Sequence, residues 1–125
     1  MARKILVLAE TREQVLRNVS YEVIAAGKEI SEGGEVVSVL IGENISSLAS
    51  ELIHYGADRV VTVEDAKLST YTPDGYAQAL LATIKEENPE AIIIGHTALG
   101  KDLSPKIAAK LQLGLISDVT AIEIT

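Results

Sequence analysis

Short apolar runs alternate along this chain with stretches whose apolar residues recur every three or four positions. Residues 4–9 (KILVLA), 35–41 (EVVSVLI), 59–63 (RVVTV), 91–94 (AIII) and 116–124 read as five strands. Runs this continuous, with helices between them, mark strands that are covered on both faces and run parallel. Val19, Val23, Ala26, Gly27 and Ile30 share one helical face, and Leu48, Leu52 and Ile53 a second. Ala77, Leu80, Leu81 and Ile84 define a third, and Leu103, Ile107, Ala108 and Leu111 a fourth. Gly34, Gly56 and Gly114 stand where helices should stop. Thr72 as N-cap with Pro73 at the first helical position starts the third helix, and Asn88-Pro89 ends it. The start of the first helix is open. Thr11-Arg12-Glu13-Gln14 has the form of a capping box, while a start near Asn18 would leave a loop after the first strand.

Repeated strand–helix units with right-handed crossovers give a three-layer α/β/α domain. Its sheet is expected to be mostly parallel and five-stranded, in the order 3-2-1-4-5. Such folds bind ligands where the strand order reverses, beyond the carboxyl ends of the strands. That crevice would lie between strands one and four, walled by residues 10–12 and 95–102. Its candidate lining is Glu10, Gly95, His96, Thr97, Gly100 and Lys101. Residues 1–125 form one domain with no repeat and no linker. The chain stops at Thr125 inside a strand-like pattern, so the expectation is a piece of something longer.

Composition narrows the chemistry. The chain is 47% hydrophobic, with no Phe, no Trp and only four Tyr, so its core must pack aliphatic side chains. A formal charge of -7 argues against general affinity for nucleic-acid phosphate and favours solubility. With no Cys there can be no disulfide, thiolate metal site or cysteine nucleophile. The basic-then-apolar start is too short for a signal sequence, because its apolar run ends at Glu10. No apolar stretch approaches the roughly 20 residues that cross a bilayer, so no direct membrane insertion is expected. The expected location is the cytoplasm, or the mitochondrial matrix in a eukaryote, although no transit peptide is visible.

Residues 95–101, GHTALGK, fit the G-x-x-x-x-G-K pattern of a phosphate-binding loop. The next position should be Ser or Thr to hold magnesium, and here it is Asp102. The loop also follows the fourth strand instead of the first. The simpler reading is that Gly95 ends a strand, Gly100 allows a close approach and a helix begins. That helix N-terminus could still attract an anion, although Asp102 already supplies one.

A longer match extends this picture. Residues 95–111 (GHTALGKDLSPKIAAKL) and 114–120 (GLISDVT) strongly resemble the N-terminal domain of the electron-transfer flavoprotein alpha subunit. Leu8-Ala9-Glu10, Tyr55-Gly56-Ala57-Asp58-Arg59-Val60 and Tyr71-Thr72-Pro73 agree with it, so the resemblance covers nearly the whole chain in order. It implies an adenine nucleotide alpha hydrolase-like fold. It also implies a heterodimer with a beta subunit that carries electrons from dehydrogenases to a quinone oxidoreductase. FAD would lie mainly on a C-terminal domain outside this chain, and AMP on the partner beta subunit. No cofactor is expected on this segment: it has no G-x-G-x-x-G for a dinucleotide pyrophosphate and no Trp or Phe to cover a flavin ring. The other reading is a stand-alone adenine-nucleotide-binding module of the universal-stress-protein type, using the same crevice.

Other constellations carry less. His54 falls in the last turn of the second helix and His96 in the loop after the fourth strand, too far apart to share a metal. Ser117 and Asp118 with His96 would supply triad residue types, but no nucleophile elbow surrounds Ser117. No catalytic residue is expected. Glu10 and Arg12 could meet a ligand and otherwise read as a solvated pair. Glu29, Glu32, Glu35, Lys85, Glu86 and Glu87 read as solvated faces and helix ends.

Overall fold

The computed structural model describes the backbone of residues 2–111, 115–116 and 120–123, and the side chains of residues 2–110. The apolar runs form β1 (Ile5–Leu8), the long strand Val36–Gly42, the edge strand Arg59–Glu64 and the strand Ala91–Ile94. Two short strands, Thr11–Arg12 (β2) and Val15–Leu16 (β3), separate β1 from the first helix, Asn18–Ser31 (α1). The long strand is therefore β4, the edge strand β5 and Ala91–Ile94 β6. Leu115–Ile116 (β7) and Thr120–Glu123 (β8) complete the sheet.

The six-stranded sheet runs β5-β4-β1-β6-β8-β7. β1 lies between β4 and β6 and pairs parallel with both, Ile5 opposite Val36 and Ala91. β5 pairs parallel with β4. β8 pairs antiparallel with β6, Ile92 opposite Ile122, and β7 pairs antiparallel with β8. Residues 116–124, expected as one strand, are thus divided. β7 runs in the sense of β6 on the outside of the sheet, and β8 returns between them. Apolar patterning carries no strand direction, which is why the sequence did not show this return. Gly114, Ser117, Asp118 and Ile124 lie outside the described residues.

Strand alternation divides the core into two apolar layers. Leu6, Leu8, Ile92 and Ile94 face the helices Pro73–Glu87 (α3) and Ala98–Leu111 (α4), where Leu80, Ile84, Leu103 and Ile107 meet them. Ile5, Val7, Ala91 and Ile93 face α1 and the short helix Ala49–His54 (α2), where Val23, Ile24 and Leu52 meet them. Each fully buried aliphatic side chain contributes about 1.5–3 kcal/mol over leaving it in water. Gly27 brings α1 close to the sheet, since a Cβ there would lie 2.9 Å from Val7 Cγ1.

The helix ends follow local chemistry with some departures. α3 has Pro73 at its start and Asn88 at its end in the left-handed conformation, with φ of 49°. The Thr72 side chain makes no capping hydrogen bond. α1 begins at Asn18, so the capping-box reading of residues 11–14 gives way to a hairpin. Glu13 and Gln14 both have positive φ, 52° and 63°, the requirement of a type I′ turn. Ile53 is 45% exposed instead of buried, because it follows the buried Leu52 directly and a helix turns about 100° per residue. At the amino end of the sheet Lys4 meets Glu87 at 3.1 Å, and Arg59 meets Glu35 at 2.9 Å and also Glu87. Glu35 and Glu87 are therefore members of one ion-pair network and not separate solvated groups. Among the described residues no helix is long and apolar enough to cross a membrane.

Candidate functional site

β1 delivers Glu10 to the carboxyl end of the sheet, beside the loop that joins β6 to α4. The residue is buried, and the expectation of a solvated pair with Arg12 does not hold. Its partners are elsewhere: Glu10 Oε2 accepts the Thr97 hydroxyl at 2.8 Å, and Oε1 accepts Arg17 Nη1 at 3.2 Å. Its backbone is held as well. The Glu10 amide donates to Ser20 Oγ at 2.8 Å, Ser20 Oγ donates to the Glu10 carbonyl at 2.9 Å, and the Arg17 amide donates to the same carbonyl at 2.8 Å. Burial pushes the Glu10 carboxyl above its ordinary range, with the Thr97 hydrogen bond and the Arg17 charge opposing the rise.

Thr97 does two things. It donates to Glu10 and accepts the Gly100 amide at 3.0 Å, which satisfies one of the free N–H groups in the first turn of α4. The Lys101 amide bonds the Thr97 carbonyl at 2.7 Å. α4 thus begins at Ala98, and Ala98 to Lys101 are helical. Only Gly95, His96 and Thr97 remain as loop, too few to wrap a phosphate. A methyl group on Gly100 would collide with the Gly95 carbonyl, and one on Gly95 with the Val19 side chain.

Of the six candidate residues, Glu10, Gly95, Thr97 and Gly100 come together in this knot. His96 is exposed on its rim and Lys101 is exposed on α4. Asp102, the departure from the phosphate-loop pattern, accepts a hydrogen bond from the Tyr71 hydroxyl at 2.5 Å. Burial, with the Asp102 bond, pushes the Tyr71 phenol upward. Tyr71 packs edge-on against Tyr76 at 4.9 Å, and the Tyr76 hydroxyl donates to the Ile41 and Leu68 carbonyls. The residues missed by sequence reasoning are therefore Arg17, Ser20, Tyr71 and Tyr76. Only Arg17 gave a signal, as the one cation between the hairpin and α1.

The space left at the reversal of strand order is small. A cavity bounded by Leu8, Glu10, Ile41, Tyr76 and Leu99 measures about 20 Å³, room for a single water. A hollow of about 230 Å³ lies between the hairpin and Tyr71, below the usual range of small-molecule sites. The larger cleft, about 610 Å³, lies to one side, between Arg17, Asn18, Val19 and Glu22 of α1 and its approach and Gly95, His96 and Thr97 of the loop. Among the described residues no group of three or more His, Asp or Glu is placed to hold a metal. His54 instead contacts the Tyr55 ring edge-on at 5.5 Å.

Comparison with known proteins adds a family. The electron transfer flavoprotein domain matches residues 5–125. The electron transfer flavoprotein subunit alpha of Bacillus subtilis is 60% identical over 125 residues, covering 100% of this chain and 38% of that protein. The acryloyl-CoA reductase electron transfer subunit beta of Anaerotignum propionicum is 40% identical over 124 residues, covering 98% of this chain and 34% of that protein. The electron transfer flavoprotein subunit alpha of Thermoanaerobacterium thermosaccharolyticum is likewise 40% identical, covering 98% of this chain and 38% of its own length. The chain thus spans little more than a third of the relatives it matches.

Proposed function

This chain belongs to the electron transfer flavoprotein domain family, and we propose that it is the assembly domain, without flavin and without a catalytic residue, of an electron transfer flavoprotein alpha subunit. The complete protein is an electron carrier that pairs with a beta subunit. It takes electrons from dehydrogenases and passes them to a quinone oxidoreductase. FAD is held mainly by a further domain of the alpha subunit, and AMP by the beta subunit.

One observation carries this reading: the place where such a fold would take a nucleotide is occupied by the chain's own side chains. Glu10, Tyr76 and Leu99 reduce it to about 20 Å³, and the Thr97 hydroxyl already satisfies the Gly100 amide. The described residues do not fit a flavin. Tyr21 and Tyr55 stack on each other at 4.0 Å, Tyr71 and Tyr76 are joined as a second pair, and no tyrosine lines the large cleft. FAD supplies redox chemistry that a protein positions and tunes, and the described residues place no tyrosine ring in the cleft to stack on it.

The test is co-expression of this chain with a cognate beta subunit and the remainder of the alpha subunit. A yellow ternary complex on size exclusion, with colourless isolated chain, supports the assembly role. Stoichiometric FAD on the isolated chain, or no complex, overturns it. The 610 Å³ cleft supports a second reading, an adenine-nucleotide-binding module, because its volume lies within the range of small-molecule sites. Titration calorimetry with AMP and ATP separates the two. Micromolar binding favours the module, and no heat removes it.

A further inference from the structure

The carboxylate of Glu10 is the one charged group inside the knot, and it stands between two walls of the large cleft. On one side its Oε1 meets Arg17, whose side chain is 41% exposed against 2% for Glu10. On the other its Oε2 meets Thr97, and Gly95 lies beside the same oxygen. Arg17 and Thr97 both line the cleft. The backbone on this side is fixed independently of the carboxylate, by the Arg17 amide on the Glu10 carbonyl and by Ser20 on both backbone groups of Glu10. What the carboxylate alone controls is the guanidinium.

We propose that Glu10 is a proton-operated latch on Arg17: ionised, it holds the guanidinium against the sheet, and neutral, it releases it into the cleft. The asymmetry follows from hydrogen-bond chemistry. The Thr97 hydroxyl can accept as well as donate, so the acid proton goes to Oε2 and that contact survives. Arg17 has only donors, and on Oε1 it keeps a neutral carbonyl acceptor in place of a carboxylate. The pair thereby loses the charge that makes such a hydrogen bond roughly twice as strong as a neutral one. One proton therefore changes both the charge and the free width of the cleft without loosening the fold around it.

Every element packed against Glu10 leaves the carboxylate as the group that titrates first. The approach to α1 contributes Arg17, which stays charged. α3 contributes Tyr76, whose phenol is raised by its own burial and then by the Glu10 charge, so it stays neutral. The loop before α4 contributes Thr97, which does not titrate. Burial moves the Glu10 transition upward from the ordinary carboxylate range. The inference is independent of the carrier role and holds or fails on this chain alone.

The test is an NMR titration of the 125-residue chain from pH 4 to 8, following the Glu10 carboxyl carbon, the Arg17 side-chain nitrogens and the Gly100 amide. The Glu10 and Arg17 signals are expected to move together with one midpoint above the ordinary glutamate range, while Gly100 shifts little. In Glu10→Gln the Arg17 signals should stay at the acid-limit position at every pH. In Arg17→Met the Glu10 midpoint should rise, because a cation that favours the charged form is gone. Arg17 signals that ignore the Glu10 titration, or a Glu10 midpoint unmoved in Arg17→Met, overturn the latch.

Discussion

The Thr97 hydroxyl donates to Glu10 Oε2 at 2.8 Å and accepts the Gly100 amide at 3.0 Å, so one side chain ties the exit of β1 to the first turn of α4. The same bond pair closes the site where other folds of this topology admit a phosphate. Removing it should be felt on both sides. Thr97→Val keeps the shape but leaves a buried carboxylate short of a donor and a helix amide uncapped. A loss of about 1–3 kcal/mol is expected in urea unfolding, with Thr97→Ser close to the parent. A loss below about 0.5 kcal/mol would mean that water replaces the hydroxyl.

Two carboxylates should tilt the pH dependence of stability in opposite directions. Glu10 has its folded pKa raised, chiefly by burial, so its folded form binds the proton more tightly than the unfolded chain does. Its contribution is full below the ordinary glutamate pKa and is lost as pH rises through the higher folded value. Glu87 has its folded pKa lowered, first by the Arg59 hydrogen bond and then by that of Lys4. Its contribution is present above the ordinary value and is lost as pH falls through the lower folded one. Unfolding curves from pH 3 to 7 check this. Relative to the parent, Glu10→Gln should gain as pH rises above the ordinary range, and Glu87→Gln should gain as pH falls below it.

Asp102 tests the resemblance to a phosphate loop. Asp102→Thr restores the missing residue of that motif, yet α4 already starts at Ala98 and the carboxylate is bound to Tyr71. No magnesium-dependent ATP hydrolysis is expected above the parent in a phosphate-release assay. The exposed Tyr71 bond should contribute less than about 1 kcal/mol, so Tyr71→Phe and Asp102→Thr should lose similar small amounts.

Ser38 lies at 0% exposure in β4, and its hydroxyl has no hydrogen-bond partner. A buried hydroxyl without a partner is a cost in this position, and Ser38→Ala removes it with little loss of volume. A gain of about 1 kcal/mol is expected by urea titration.

Much of the sheet was legible because β1, β4 and β6 are nearly continuous apolar runs, and burial on both faces forces such runs; the half-exposed edge strand β5 was legible from its valines. The β2–β3 hairpin was not. Each of its strands is two residues long, and its turn uses Glu13 and Gln14 at positive φ, where Asn-Gly would have announced it. The same residues happen to spell a capping box. Glu10 was visible as a candidate because it ends β1, but its burial depends on Thr97, 87 positions away. Tyr71 and Asp102 are 31 positions apart. Contacts across such separations leave no periodic trace, so the knot could be named only in part.

The four tyrosines stand as two couples, Tyr21 with Tyr55 on the α1–α2 side and Tyr71 with Tyr76 on the α3 side. With no tryptophan to collect their excitation, ultraviolet emission is expected to come from these two couples alone. The carboxylate bound to Tyr71 is expected to dim its share. A ligand or subunit that settles on one layer is then expected to change one lifetime more than the other, which makes the tyrosines a position-sensitive optical label.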